Sequence, residues 1–219
     1  MAIYNAGYLS PVRKKLGNAV GRKWRTLDVL AVYQPFVRNP RTKAQQLVRA
    51  RFGKLAQIAM VLTAGINKGF EGICKGTKIP QRSMFIKKNW AYTHADEPDN
   101  VTVDWTDLQI AQGGLALPTI GALTAPSANT INLALNDDAS GDPTVIDADD
   151  EVYMAVINPS KSMGLLSRAS LRMEEDITML VPSNWVGDRL HAYVFAIGGG
   201  DQDKDKTSNS IYGGSVTVV

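Results

Sequence analysis

The feature that most constrains the fold of this 219-residue chain is a train of short apolar segments in its second half. Residues 130–135 alternate cleanly, with Ile131, Leu133 and Leu135 on one face. Residues 151–157 are apolar on both faces and read as a buried strand. Residues 188–197 set Leu190, Ala192, Val194 and Ala196 opposite His191, Tyr193 and Phe195. With 101–105, 165–173, 176–181 and 208–219 they make about seven strands over about 120 residues, parted by turn signals. This spacing predicts an antiparallel β-sandwich over 96–219.

The first half reads differently. Residues 1–38 look irregular or extended, punctuated by Gly7, Pro11, Gly17 and Gly21, with one short strand at 28–33. A helix start follows: Asn39 suits the cap and Pro40 the first helical position. Ala44, Leu47, Val48, Phe52, Leu55, Ile58, Ala59, Leu62 and Ile66 recur at gaps of three and four, one stripe of a long amphipathic helix. Gly65, Gly69, Gly72 and Gly76 weaken that helix and end it in a loop, unless close packing against another element explains them. Residues 80–100 read as a connector. The expected class is α+β, with a basic extended arm and helical region over 1–95 and an acidic sandwich over 96–219.

Charge divides at the same place. Residues 1–95 hold 18 Lys/Arg against Asp28 and Glu71, a net of +16; residues 96–219 hold 6 against 19 acids, a net of −13. Eighteen cations repel one another unless a phosphate or an acidic protein surface lies near. Tyr4, Tyr8, Trp24 and Tyr33 are interleaved among them, suited to stacking on bases or anchoring a protein contact.

No catalytic constellation competes with this signal. The only histidines are His94 and His191, and no Gly-x-Ser-x-Gly elbow accompanies them. Gly72-Ile-Cys-Lys-Gly-Thr-Lys78 has the wrong spacing and order for a phosphate loop. Acidic runs at 136–142, 147–151 and 201–205 invite a calcium test. The last is interleaved with Lys204 and lacks the turn glycine and closing glutamate, and solvated acidic loops account for all three. The lone Cys74 excludes an internal disulfide framework and a cysteine-rich zinc site. The Asn100-Val-Thr102 sequon has no signal peptide before it, and no apolar run reaches the roughly 20 residues of a membrane span. The expectation is a non-enzymatic protein with no cofactor or metal, made and used in a soluble, reducing setting.

Several motifs carry a family resemblance over most of the chain. Leu16-Gly-Asn-Ala-Val-Gly-Arg-Lys-Trp24, Tyr33-Gln-Pro and Asn39-Pro-Arg-Thr-Lys-Ala-Gln45 lie in the first half. Tyr153, Asn158-Pro-Ser-Lys161, Val181-Pro-Ser-Asn-Trp185-Val-Gly-Asp188 and Ser208-Asn-Ser-Ile-Tyr212-Gly-Gly lie in the second. Together they resemble an uncharacterised family of structural proteins found in Bacteroidota and their bacteriophages. The resemblance implies an immunoglobulin- or fibronectin-like sandwich and a structural role in a virion, and it supplies no active-site residues.

The expected function is therefore that of a virion component of capsid, neck or tail, made in the bacterial host cytoplasm. It assembles, as a homo-oligomer and with other virion proteins, through its basic half onto acidic surfaces. The contact residues expected are Arg13, Lys14, Lys15, Arg22, Lys23, Trp24 and Arg25, then Arg38, Arg41, Arg49 and Arg51 at the helix start. Their acceptors are expected at Asp147, Asp149, Asp150 and Glu151. The alternative is a DNA-associated protein whose arm neutralises packaged genome. No membrane contact is expected.

Overall fold

The computed structural model describes residues 2–4, 14–24, 27–36, 39, 41–136, 149–199 and 206–219. Two compact units emerge, residues 1–42 and residues 43–219. The boundary lies at 42/43, not at 95/96 where the charge changes sign, because the helical segment shares a core with the strands that follow it.

The first unit is a sheet, where the sequence suggested an arm. Strands β1 (Ala2–Tyr4), β2 (Lys14–Leu16), β3 (Ala19–Trp24) and β4 (Leu27–Val32) form an antiparallel sheet in the order β1-β4-β3-β2. Gly17 and Asn18 make the two-residue turn between β2 and β3, and Gly17 takes a φ of 57°, a conformation open to glycine at no steric penalty.

The second unit has three layers. Helices α1 (Lys43–Val61), α2 (Thr63–Gly69), α3 (Glu71–Cys74) and α4 (Gln81–Asn89) form the first. A hairpin of β5 (Thr93–Glu97) and β6 (Asn100–Val103) packs against α1. Next come β7 (Ile120–Ser127), β8 (Thr130–Leu135), β9 (Glu151–Asn158), β10 (Met163–Leu166), β11 (Ser170–Leu171), β12 (Asp176–Leu180), β13 (Arg189–Ile197) and β14 (Ile211–Thr217). One sheet runs β10-β9-β13-β14, with β11 also paired to β9; the other runs β12-β8-β7. Every described strand pairing within these sheets is antiparallel.

The period-two pattern explains why β9 and β13 sit in the middle. Tyr153, Ala155, Ile157, Tyr193 and Phe195 point one way and meet Leu55, Ile58, Leu62, Ile66, Phe70 and Phe85 of the helices. Val152, Met154, Val156, Ala192, Val194 and Ala196 point the other way and meet Ile131, Leu133, Ile177 and Met179 of the second sheet. Both strands are thus covered on both faces, which their unbroken apolar composition requires. The helix glycines are packing residues. A β-carbon at Gly69 would stand 2.5 Å from the Ile110 carbonyl oxygen, and one at Gly65 3.2 Å from the Ala155 β-carbon.

The helical stripe is buried from Leu55 onward, not from its start. Val48 and Phe52 are each half exposed, so the first turns of α1 carry apolar side chains without a covering layer in this unit. No helix among the described residues is long and apolar enough to cross a membrane.

Candidate assembly interface

The basic–aromatic surface is built by strand register. Lys15 pairs with Val20, Val20 with Ala31, Arg22 with Val29 and Trp24 with Leu27, so these residues share one face of the first unit. Val29 is buried at its centre. Arg22, Lys23, Trp24 and Val29 line a hollow of about 400 Å³. A second hollow of about 340 Å³, lined in part by Val20, Ala31 and Tyr33, shares Arg22 with the first. The Lys15 ammonium sits 3.9 Å above the Tyr33 ring, a cation–π contact that leaves the aromatic edge exposed beside the cations. Residues 1–42 hold eight Lys/Arg against Asp28 alone, a net of +7.

This sheet covers little of its own apolar surface. Among its described side chains only Gly21 and Val29 are buried, while Leu16, Trp24, Val32 and Phe36 stand exposed, Phe36 at 87 %. A four-stranded sheet gains its stability by burying one face. Here neither face has a second layer among the unit's described residues: Leu16 and Val32 stand on one side and Trp24 on the other.

The expected contact residues divide into three groups. Lys14, Lys15, Arg22, Lys23 and Trp24 stand exposed on the sheet; Arg41 and Arg49 stand exposed beside and on α1. Arg13, Arg25 and Arg38 lie outside the described residues. Arg51 does not belong to the surface set: its guanidinium lies 4.3 Å from the centre of the Trp90 ring and donates to the Trp90 carbonyl at 2.5 Å, tying α1 to the end of α4.

The expected acceptors fare differently. Asp147 lies outside the described residues, as do most of the acidic runs at 136–142 and 201–205. Asp149 is exposed. Asp150 is fully buried, 3.0 Å from the buried Arg172 guanidinium, which also donates to the carbonyls of Ala116 and Leu117. It forms an internal brace and offers no docking surface, because a buried charge must spend its lone pairs on nearby donors. Glu151 is half-buried and accepts from the Tyr153 hydroxyl at 2.5 Å; that hydroxyl in turn accepts from Lys68 at 2.8 Å. Burial, with the Glu151 hydrogen bond, raises the Tyr153 pKa. Among the described residues no group of His, Cys, Asp or Glu has a metal-binding arrangement.

An exposed acidic feature lies elsewhere. The β5–β6 hairpin and the turn after it carry Asp96, Glu97, Asp99, Asp104 and Asp107, with no Lys or Arg between residues 93 and 107. All five acids are exposed, and Asp104 lies 3.2 Å from His94. The change of charge sign at Asp96 was the available signal; reading 80–100 as a connector concealed the hairpin.

The second-half motifs bond to other parts of the second unit, Lys161 and Asp188 at its surface and Ser208 and Tyr212 deeper. Lys161 lies 2.6 Å from Asp188 and also donates to the Asn184 carbonyl, while the buried Asn158 amide donates to Asp188 at 2.8 Å. These hydrogen bonds, Lys161 foremost, lower the Asp188 pKa. The Ser208 hydroxyl accepts from the Ala196 amide and Ser210 from that of Ile110. Tyr212 pairs with His191 at 2.8 Å, and His191 stacks on Trp105 with ring centres 5.1 Å apart. These motif residues hold the sandwich together, whereas Arg22, Lys23 and Trp24 of the first motif face outward.

No curated protein matches the chain. Among solved structures, the fibronectin type III domain of the human collagen α-1(XX) chain aligns with 48 % of this chain and 87 % of its own, at 10 % identity and a TM-score of 0.35. The family DUF6266, described as a family of unknown function, matches residues 11–214, and the chain belongs to it.

Proposed function

We propose that this protein is a structural component of a bacteriophage virion, in capsid, neck or tail, that assembles through its basic N-terminal sheet onto acidic surfaces of neighbouring subunits. The observation that carries the reading is the first unit itself: a four-stranded sheet in a segment, 1–42, of net charge +7, with Trp24, Val32 and Phe36 exposed and only Gly21 and Val29 buried among its described residues. Apolar anchors ringed by cations suit docking, since burial of the anchors supplies affinity and the charges supply steering and register. The motif resemblance to a Bacteroidota and bacteriophage family supplies the virion setting. Contacts between unlike surfaces of successive copies generate rings or stacked tubes when the rotation closes.

The test is incorporation. Particles from a phage encoding Arg22→Glu and Lys23→Glu are expected to lack the protein by mass spectrometry while the purified variant keeps its far-ultraviolet dichroism. Normal copy number in those particles would overturn the docking role. A second reading, contact with packaged nucleic acid, is favoured by the exposed Trp24 and Tyr33 beside cations on a sheet face. It predicts a gel shift of single-stranded DNA by the full chain that weakens steeply with salt.

A further inference from the structure

We infer that the acceptor of the N-terminal sheet is the β5–β6 hairpin tip of a second copy of this chain, so that copies join head to tail. The inference rests on the docking role proposed above and names its partner. Two features, one in each unit, are otherwise without use. The hollow beside Arg22 has a cationic rim, Arg22 and Lys23, and an apolar wall, Trp24 and Val29. The hairpin tip Glu97-Pro98-Asp99 sets a proline between two carboxylates, all three exposed. The chemistry is complementary group by group: a flat indole accepts a proline ring, and the flanking carboxylates meet a guanidinium and an ammonium. The charges match in scale as well, five acids without a cation over 93–107 against a net +7 over 1–42. The tip is also presented well: β5 is backed by α1, so the turn is held out from a packed base.

The experiment is sedimentation velocity on the full chain over a concentration series at low and high salt. Wild type is expected to associate with rising concentration, and to weaken about tenfold or more as salt shrinks the Debye length from about 30 Å to about 3 Å. Two variants, Arg22→Glu with Lys23→Glu and Glu97→Lys with Asp99→Lys, should each sediment as monomers. Mixed, they should pair, because one brings an intact hairpin and the other an intact sheet. Glu97→Gln with Asp99→Asn preserves the shape of the tip and should lose association too, which separates charge from misfolding. A wild type that stays monomeric at every concentration, or a neutral-tip variant that associates as wild type does, overturns the inference. If, besides, Arg22→Glu with Lys23→Glu is still excluded from particles, the sheet docks on another protein and the virion reading stands. Binding of single-stranded DNA without self-association overturns the inference in favour of nucleic acid.

Discussion

The two units solve the problem of an apolar strand in opposite ways. In the second, β9 and β13 are covered on both faces, by helices on one side and by the three-stranded sheet on the other. In the first, β3 and β4 bury Gly21 and Val29 and leave Trp24 and Val32 outside. The motif residues follow suit. Asn158, Lys161, Asp188 and Ser208 spend their polar groups within their own unit, while Arg22, Lys23 and Trp24 stand exposed. The contrast teaches that one region covers its own apolar strands and the other, among its described residues, leaves them uncovered.

The largest expected effect falls on the doubly covered core. Phe195→Ala should lower the stability of the second unit by about 4 kcal/mol, read as a fall in the urea midpoint, since it empties a fully buried site stacked on Tyr153. A loss below 1 kcal/mol would mean that the helical layer packs loosely. Next comes the buried brace: Arg172→Ala strands Asp150 and should cost about 3 kcal/mol by the same measurement. Adding Asp150→Asn should recover part of that loss.

A smaller effect follows pH. Burial first, and the Arg189 charge second, hold the His191 pKa below its ordinary value. The native state therefore binds fewer protons than the unfolded chain as pH falls through about 6.5, and stability declines on the acid side of that point. The contribution is complete above this range. His191→Phe should flatten that part of the curve of urea midpoint against pH; an unchanged slope would assign the acid sensitivity elsewhere. Smallest of all, Trp24→Ala should change the stability of the first unit, which holds it, by no more than about 0.5 kcal/mol, read by urea denaturation of the full chain, while weakening assembly. A large stability loss there would show that the indole serves the fold.

Legibility tracked the range of the interactions involved. The strands at 130–135 and 188–197 could be read almost to the residue, because side-chain alternation is a local signal with a local cause. Strand β7 was missed, since Gly121, Ala122 and Ala125 carry little hydrophobic contrast and Pro126 argues against a strand. In the N-terminal sheet only β1 and β4 lie more than twenty residues apart; β2–β3 and β3–β4 are tight hairpins, and the charged residues of Lys14–Leu16 and Arg22–Lys23 blur the apolar alternation that marks a strand. The outward cations were legible as a charge run. Arg51 and Asp150 share one lesson: composition gives the sign of a charge, while the fold decides that these two turn inward to Trp90 and Arg172.

The contact between Gly69 and the Ile110 carbonyl leaves no side chain between helix and neighbouring backbone to act as a cushion. Closely packed interiors transmit strain rather than absorb it. Gly65 stands against Ala155 of β9 in the same way, so a displacement of α2 passes to the central sheet with little give.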